Sequence, residues 1–365
     1  MGEPVKLEQK KKVLSRIIAV LFSLLMIIFA VHASTHMVGA GDTWVAMACG
    51  RHFVNNGVDT VEPFSANSHK AGPTEAEIEN WPGFARWIAD KVSMDTLRYW
   101  HPTGWVNQNW LTHVIFYTLT PKSSYTGGVH FDSNALVYWK FALYIITVFC
   151  VYFTARILGA SSVLSVIFAC AAVFIGRSYL DIRPAGFSNM LTAVYLLILV
   201  LAMYKNVLYI WLIVPLTIFW CNVHGGFIYV FMTLVPFICL NFVSEFFGSR
   251  FVSIGKRGLI HTVAASGAAF LASIIFNPFH LTNITHTFIV SVSKHAEMWR
   301  QVNEWHPAFE WSNPVGTSFP FFVLFVVCLG APIFWIFSSF LKPRLLIAPR
   351  KEMQVQQSIF EKLFT

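Results

Sequence analysis

Charged residues are scarce in this chain. Asp, Glu, Lys and Arg make up 12% of its 365 residues, whereas a soluble domain carries about 25%. Hydrophobic residues make up 56% and the mean hydropathy is +0.58, so the chain lacks the polar surface of a soluble globular protein. We therefore expect an integral membrane protein. The formal net charge of +8 then reflects membrane topology and does not indicate a nucleic-acid partner.

The chain also lacks the short motifs that identify several enzyme and metalloprotein classes. Its six cysteines form no CxxC pair, which argues against a disulfide framework and against a zinc site. Because no HExxH pair occurs, no single segment supplies a metal site; a divalent-metal site shared among loops stays open. There is no Walker motif, GxSxG, CxxCH or Rossmann fingerprint.

Long hydrophobic runs are abundant instead. A membrane-crossing helix needs about 20 mostly apolar residues. The sequence predicts eight such spans, at residues 17–38, 134–155, 157–176, 186–204, 207–223, 225–247, 258–276 and 319–341. We therefore predict an all-α helical membrane bundle over residues 17–341, between a basic segment at 1–16 and a tail at 342–365.

The distribution of basic residues predicts the orientation of the bundle. When both termini are placed in the cytoplasm, 15 of the 26 Lys and Arg residues fall in cytoplasmic segments, as the positive-inside rule requires. The outer face then carries a long first loop, 39–133, and a further loop, 277–318. Residues 66–106 of the first loop have the character of an insertion. We expect any chemistry to take place on this outer face.

Asp42 lies where the first span leaves the membrane. It stands at the start of a predicted short helix that ends at Asn55-Asn56-Gly57. The carboxylate could cap this helix by accepting hydrogen bonds from the first turn, or it could be catalytic, and one residue can do both.

The insertion is rich in aromatic residues. It is predicted to be helical from Pro82, with Phe84 and Trp87 on that helix, and a second, amphipathic helix is predicted from Trp110 to Leu119. Aromatic residues in such a loop indicate membrane anchors or partner contacts more often than a substrate platform. Residues 81–110 are therefore a candidate surface for a protein partner.

Two further outer segments carry candidate binding residues. The loop after the third span contains Arg177, Asp181 and Arg183. A guanidinium at the membrane edge can bind a phosphate through two parallel hydrogen bonds; alternatively, Asp181 pairs with either arginine and only shapes the loop. His224 lies in the turn between the fifth and sixth spans, where it either faces a cavity or is satisfied by internal hydrogen bonds.

Short motifs occur in a fixed order along these outer segments. They are Gly41-Asp42-Thr43-Trp44, Pro63-Phe64-Ser65, Trp105-Val106-Asn107-Gln108-Asn109-Trp110-Leu111, Arg183-Pro184 with Phe187-Ser188, Asn222-Val223-His224-Gly225-Gly226-Phe227, Asn277-Pro278-Phe279 and Asn303-Glu304-Trp305. In this order, over residues 13–340, they resemble a group of bacterial polytopic membrane proteins. That group is similar to the GT-C superfamily of lipid-linked-sugar glycosyltransferases, such as protein mannosyltransferases and oligosaccharyltransferases.

The resemblance implies a protein of the bacterial cytoplasmic membrane that takes a sugar from a polyprenyl phosphate. Asp42 matches the position of the catalytic acid, which would act as general base or orient the acceptor hydroxyl. Arg183 and His224, with Asp181 beside them, would contact the phosphate and the leaving group. Glu304 would contact the acceptor or a metal ion.

The chain departs from this family in two ways. The 66–106 insertion is long for a first outer loop, and the predicted spans end at eight, whereas many active members have more. Both departures favour an alternative function. The chain would then be a non-catalytic structural or assembly subunit of a larger membrane complex, which docks partners through its aromatic outer loop.

Overall fold

The computed structural model describes most of the chain, and what it describes is almost entirely helical. The described residues are 3–35, 41–58, 73–102, 106–120, 122–125, 128–131, 133–177, 180–247, 254–292 and 318–341. Five helices among them are long and apolar enough to cross a membrane: Gln9–Thr35, Asn134–Ile157, Ala185–Tyr204, Gly225–Phe246 and Gly255–Ile275. The chain is therefore a multi-pass membrane protein.

The chain divides into two units, residues 1–297 and 298–365. In the first unit the elements are α1 (Glu3–Thr35), α2 (Gly41–Asn56), α3 (Glu75–Glu79), α4 (Gly83–Ala89), α5 (Met94–Trp100), α6 (Trp110–Leu119), β1 (Lys122–Tyr125), β2 (Gly128–Phe131), α7 (Asn134–Ile157), α8 (Ser162–Gly176), α9 (Ala185–Tyr204), a 3₁₀ helix (Val207–Leu212), α10 (Ile213–Val223), a short 3₁₀ turn (Gly225–Phe227), α11 (Ile228–Phe247), α12 (Gly255–Ile275) and α13 (His280–Val292). The second unit contains α14 (Ser318–Leu341). The sequence did not predict the antiparallel hairpin of β1 and β2.

Each of the eight predicted spans overlaps a helical segment of the described residues, although the start of the third span differs. The third span was predicted from residue 157, whereas α8 begins at Ser162. The intervening residues form a turn in which Gly159 adopts a φ of +96°, a conformation that favours glycine. The Ser161 side chain then caps α8 by accepting a hydrogen bond from the Leu164 N–H at 3.3 Å.

The main hydrophobic core of the first unit lies among α9, α10, α11 and α12. Its largest side chains, Trp220, Tyr195 and Phe227, are fully buried. The residues of α12 that are completely buried against this core, Ala265 and Ala269, are small. Small residues let helix backbones approach closely, which is how membrane helices gain packing contacts where lipid offers no hydrophobic driving force.

The segment between α1 and α7 is anchored by α2 and α6. The helix predicted after Asp42 is confirmed: α2 ends at Asn56, and Gly57 follows with a φ of +86°. The predicted helix from Trp110 to Leu119 is also confirmed as α6, and its buried residue Phe116 belongs to the small core that α2 shares with Leu136 and Ile182.

Helices α3 to α5 make up the described part of the insertion. Helix α3 begins with a capping box. The Thr74 side chain accepts a hydrogen bond from the Glu77 N–H, and the Glu77 carboxylate accepts one from the Thr74 N–H. The C-terminal end of α5 is joined to α13, where His101 Nδ1 lies 2.8 Å from the hydroxyl of Thr282. The insertion is thus attached to the bundle.

The contact between α2 and α6 depends on a glycine. A Cβ built on Gly50 would lie 2.0 Å from the His113 carbonyl oxygen and 2.8 Å from the Tyr117 Cβ. We expect Gly50→Ala to force the helices apart and to lower the free energy of unfolding by about 1–3 kcal/mol, measured by unfolding in detergent. The matched control is Gly267→Ala in α12, where an added Cβ meets no described atom within 4 Å. An unchanged free energy of unfolding in Gly50→Ala would contradict the close contact between α2 and α6.

Candidate functional site

The beginning of α2 is hydrogen-bonded to the loop between α8 and α9. The Thr43 hydroxyl donates a hydrogen bond to the Ile182 carbonyl oxygen, and the Ile182 side chain packs into the core with Ala46 and Met47. Because α2 begins at Gly41, Asp42 is the second residue of the helix, and its side chain is exposed. The fold therefore places the helix end that carries Asp42 beside the loop that carries Asp181 and Arg183.

Asp181 and Arg183 form an ion pair. Arg183 Nε lies 2.7 Å from each Asp181 carboxylate oxygen, and Nη2 lies 2.6 Å from Oδ2. The Asp181 side chain is 0% exposed and that of Arg183 is 13% exposed. Of the two pairings that the sequence left open, this is the one that forms. Arg177 instead donates to the Phe174 carbonyl oxygen at 3.0 Å.

Lys140 is a second cation near Asp181. It was not among the site residues predicted from the sequence. It lies on α7, is 0% exposed, and interacts electrostatically with Asp181. Tyr144, one turn further along α7, is also buried, and its hydroxyl accepts a hydrogen bond from Asn189 Nδ2 at 3.4 Å. A lysine within an otherwise apolar span is a recognised sign of an interior polar site, so this signal was available in the sequence.

His224 is held by hydrogen bonds on its Nδ1 side. That nitrogen lies 2.7 Å from Ser188 Oγ and 2.9 Å from the Gly226 backbone nitrogen. Ser188 Oγ in turn accepts from the indole N–H of Trp220 at 2.7 Å. Burial, together with the positive charge of Arg183, lowers the pKa of His224 to about 4, so the imidazole is neutral near pH 7.

Side-chain amides join three of the motifs at the same end of the bundle. Gln108 Nε2 donates to Asn283 Oδ1 at 2.8 Å. Asn222 Oδ1 accepts from the Trp110 indole at 2.9 Å and from Asn277 Nδ2 at 3.2 Å. The polar residues in the motifs around 105–111, 222–227 and 277–279 thus hold the loops together. The sequence showed the motifs but not this mutual bonding.

One predicted site residue has no described position. Glu304 lies outside the described residues, as does most of the 277–318 loop. Among the described residues no group of three His, Cys, Asp or Glu side chains could hold a metal ion. A surface cavity of about 400 Å³ is lined by residues of the insertion, not by the candidate site residues.

Comparison of the chain with protein-family models, with curated proteins and with solved structures finds no match. The candidate site therefore rests on its own geometry. That geometry brings together a buried acid with two cations, a neutral histidine fixed at one ring nitrogen, and an adjacent helix end with an exposed acid.

The burial of Asp181 gives a stability prediction. In Asp181→Asn the amide cannot offset the charges of Arg183 and Lys140, so we expect the free energy of unfolding to fall by about 3–5 kcal/mol. This free energy is measured by unfolding the purified protein in detergent. The control is Asp95→Asn on α5, where the acid is exposed and the expected change is within about 0.5 kcal/mol. Equal stability of both variants would show that the buried pair contributes little.

Proposed function

We propose that this protein is a GT-C-like membrane glycosyltransferase that takes a sugar from a polyprenyl-phosphate donor at the outer face of the membrane. The observation that carries this proposal is the hydrogen bond from Thr43 to Ile182. It joins the helix end bearing Asp42, the only acid in the first turn of α2, to the loop bearing Arg183. An acid and a cation at one end of a membrane bundle are what transfer from a phosphate requires.

We propose a topology of eight spans with both termini in the cytoplasm, in a bacterial cytoplasmic membrane. The helical segment found at each predicted span supports it, as does the excess of basic residues in the segments assigned to the cytoplasm. In this orientation Asp42, Arg183 and His224 all face the outer side. A lipid-linked donor would reach them from the outer leaflet.

The cluster suits an anionic ligand. Lys140 and Arg183 place two positive charges beside one acid, and a low-dielectric interior strengthens the attraction for a phosphate. Asp181 orients Arg183, which would contact the phosphate. Asp42 would act as general base or orient the acceptor hydroxyl, and Glu304 would contact the acceptor or a divalent metal ion.

A second candidate function is a non-catalytic subunit of a membrane complex. The exposed aromatic side chains of α4 favour it: Phe84 is 74% exposed and Trp87 is 59% exposed, and their rings stack with centroids 6.2 Å apart. Aromatic side chains are enriched where protein partners bind. The partner would cover residues 81–110.

Replacement of Asp42 tests the catalytic proposal. Native membranes that contain the full chain together with their own acceptor hydroxyl groups are supplied with a panel of polyprenyl-phosphate hexoses. Release of free polyprenyl phosphate is measured as the sugar passes to an acceptor oxygen. We expect Asp42→Asn to slow release by roughly 10²-fold or more, because the amide cannot accept a proton. Asp95→Asn serves as the matched exposed-acid control and should keep the full rate. Full activity in Asp42→Asn would remove Asp42 from the reaction.

Cross-linking at Trp87 tests the subunit alternative. A photoreactive amino acid replaces Trp87 in one variant and Val54, which is exposed on α2, in the control. If α4 docks a partner, irradiation of intact membranes should yield a discrete higher-mass adduct at position 87 and none at position 54. An unmodified band from both variants would argue against docking at this surface.

A further inference from the structure

The hydrogen bonds around Ser188 have a defined direction. An indole N–H can only donate, so Ser188 Oγ accepts the 2.7 Å bond from Trp220. The single hydroxyl proton of Ser188 is then available for His224 Nδ1, which lies 2.7 Å from Oγ.

The backbone of Gly226 points at the same ring nitrogen. Its nitrogen lies 2.9 Å from His224 Nδ1, and a backbone N–H can only donate. A proton on Nδ1 would face this N–H directly, so Nδ1 carries the lone pair. In a neutral imidazole the proton must then be on Nε2.

The glycine itself is needed for this arrangement. A Cβ at Gly226 would lie 2.5 Å from Ser188 Oγ and 3.0 Å from His224 Nδ1. Any larger residue would therefore displace the hydroxyl from the ring nitrogen. The hydrogen bonds from Trp220 to Ser188 and from Ser188 to His224 thus require a glycine at position 226.

We infer that Ser188 is a positioning residue which, with Trp220 and the Gly226 N–H, holds His224 as the Nε2–H tautomer. His224 then offers a fixed hydrogen-bond donor, not a general base, and the group that it recognises is an acceptor oxygen such as that of a phosphate. The tautomer is independent of the proposed glycosyl transfer. Only the choice of phosphate as the acceptor rests on that function.

Nitrogen NMR of the full chain tests the tautomer directly. The protein is labelled with ¹⁵N-histidine and placed in lipid nanodiscs at pH 7, and the His224 signals are identified by their loss in His224→Gln. We expect the chemical shift of Nδ1 to be that of an unprotonated nitrogen and that of Nε2 to be that of a protonated one. A protonated Nδ1, in either the other tautomer or the imidazolium, would overturn the inference.

Removal of the Ser188 hydroxyl tests its positioning role. In Ser188→Ala we expect the Nδ1 signal to shift and the second tautomer to become populated, and Ser188→Cys, with its weaker donor, should lie between. The matched control is Ser273→Ala, since Ser273 is also buried and bonds to the Phe270 carbonyl oxygen of its own helix. A folded Ser188→Ala protein with unchanged His224 signals would exclude the role. If Ser188→Ala does not fold, the wild-type tautomer still decides the inference.

Discussion

The candidate site depends on the ion pair between the buried Asp181 carboxylate and Arg183. A charge removed from water costs several kcal/mol unless opposite charges and hydrogen bonds compensate it. Arg183 supplies the direct bonds and Lys140 supplies a second charge from α7. The backbone of the same short loop accepts the hydrogen bond of Thr43 through the Ile182 carbonyl oxygen, so this loop contacts the start of α2 as well.

A second constraint comes from the irregular backbone at this end of the bundle. Near a membrane interior, unpaired backbone and side-chain polar groups are costly, so turns between helices need partners within the protein. Asn222, Asn277 and Gln108 supply them. These three polar residues of the sequence motifs therefore have a structural use. Under the proposed function, the described residues left for ligand recognition are Arg183 and His224, together with Asp42.

The two proposed functions draw on different parts of the segments that connect the long helices. The cationic cluster favours a ligand with an anionic oxygen, whereas the aromatic rings of α4 favour a protein partner. The described part of the insertion is attached to α13 by the bond between His101 and Thr282, whereas the loop that carries Arg183 is bonded to α2 through Thr43. A chain could therefore keep the scaffold and the docking helix even if its site were inactive.

The sequence by itself determined the features that local chemistry controls. Hydropathy predicted helices at all eight spans, glycine after Asn56 predicted the end of α2, and periodicity predicted α4 and α6. Only the tertiary structure decided that Asp181 pairs with Arg183 rather than Arg177, and that Lys140 joins them. Likewise, Ser188 meets His224 across 36 positions of sequence. Hydropathy and turn signals are read along the chain, whereas the partner of a buried polar group is chosen by how the helices pack.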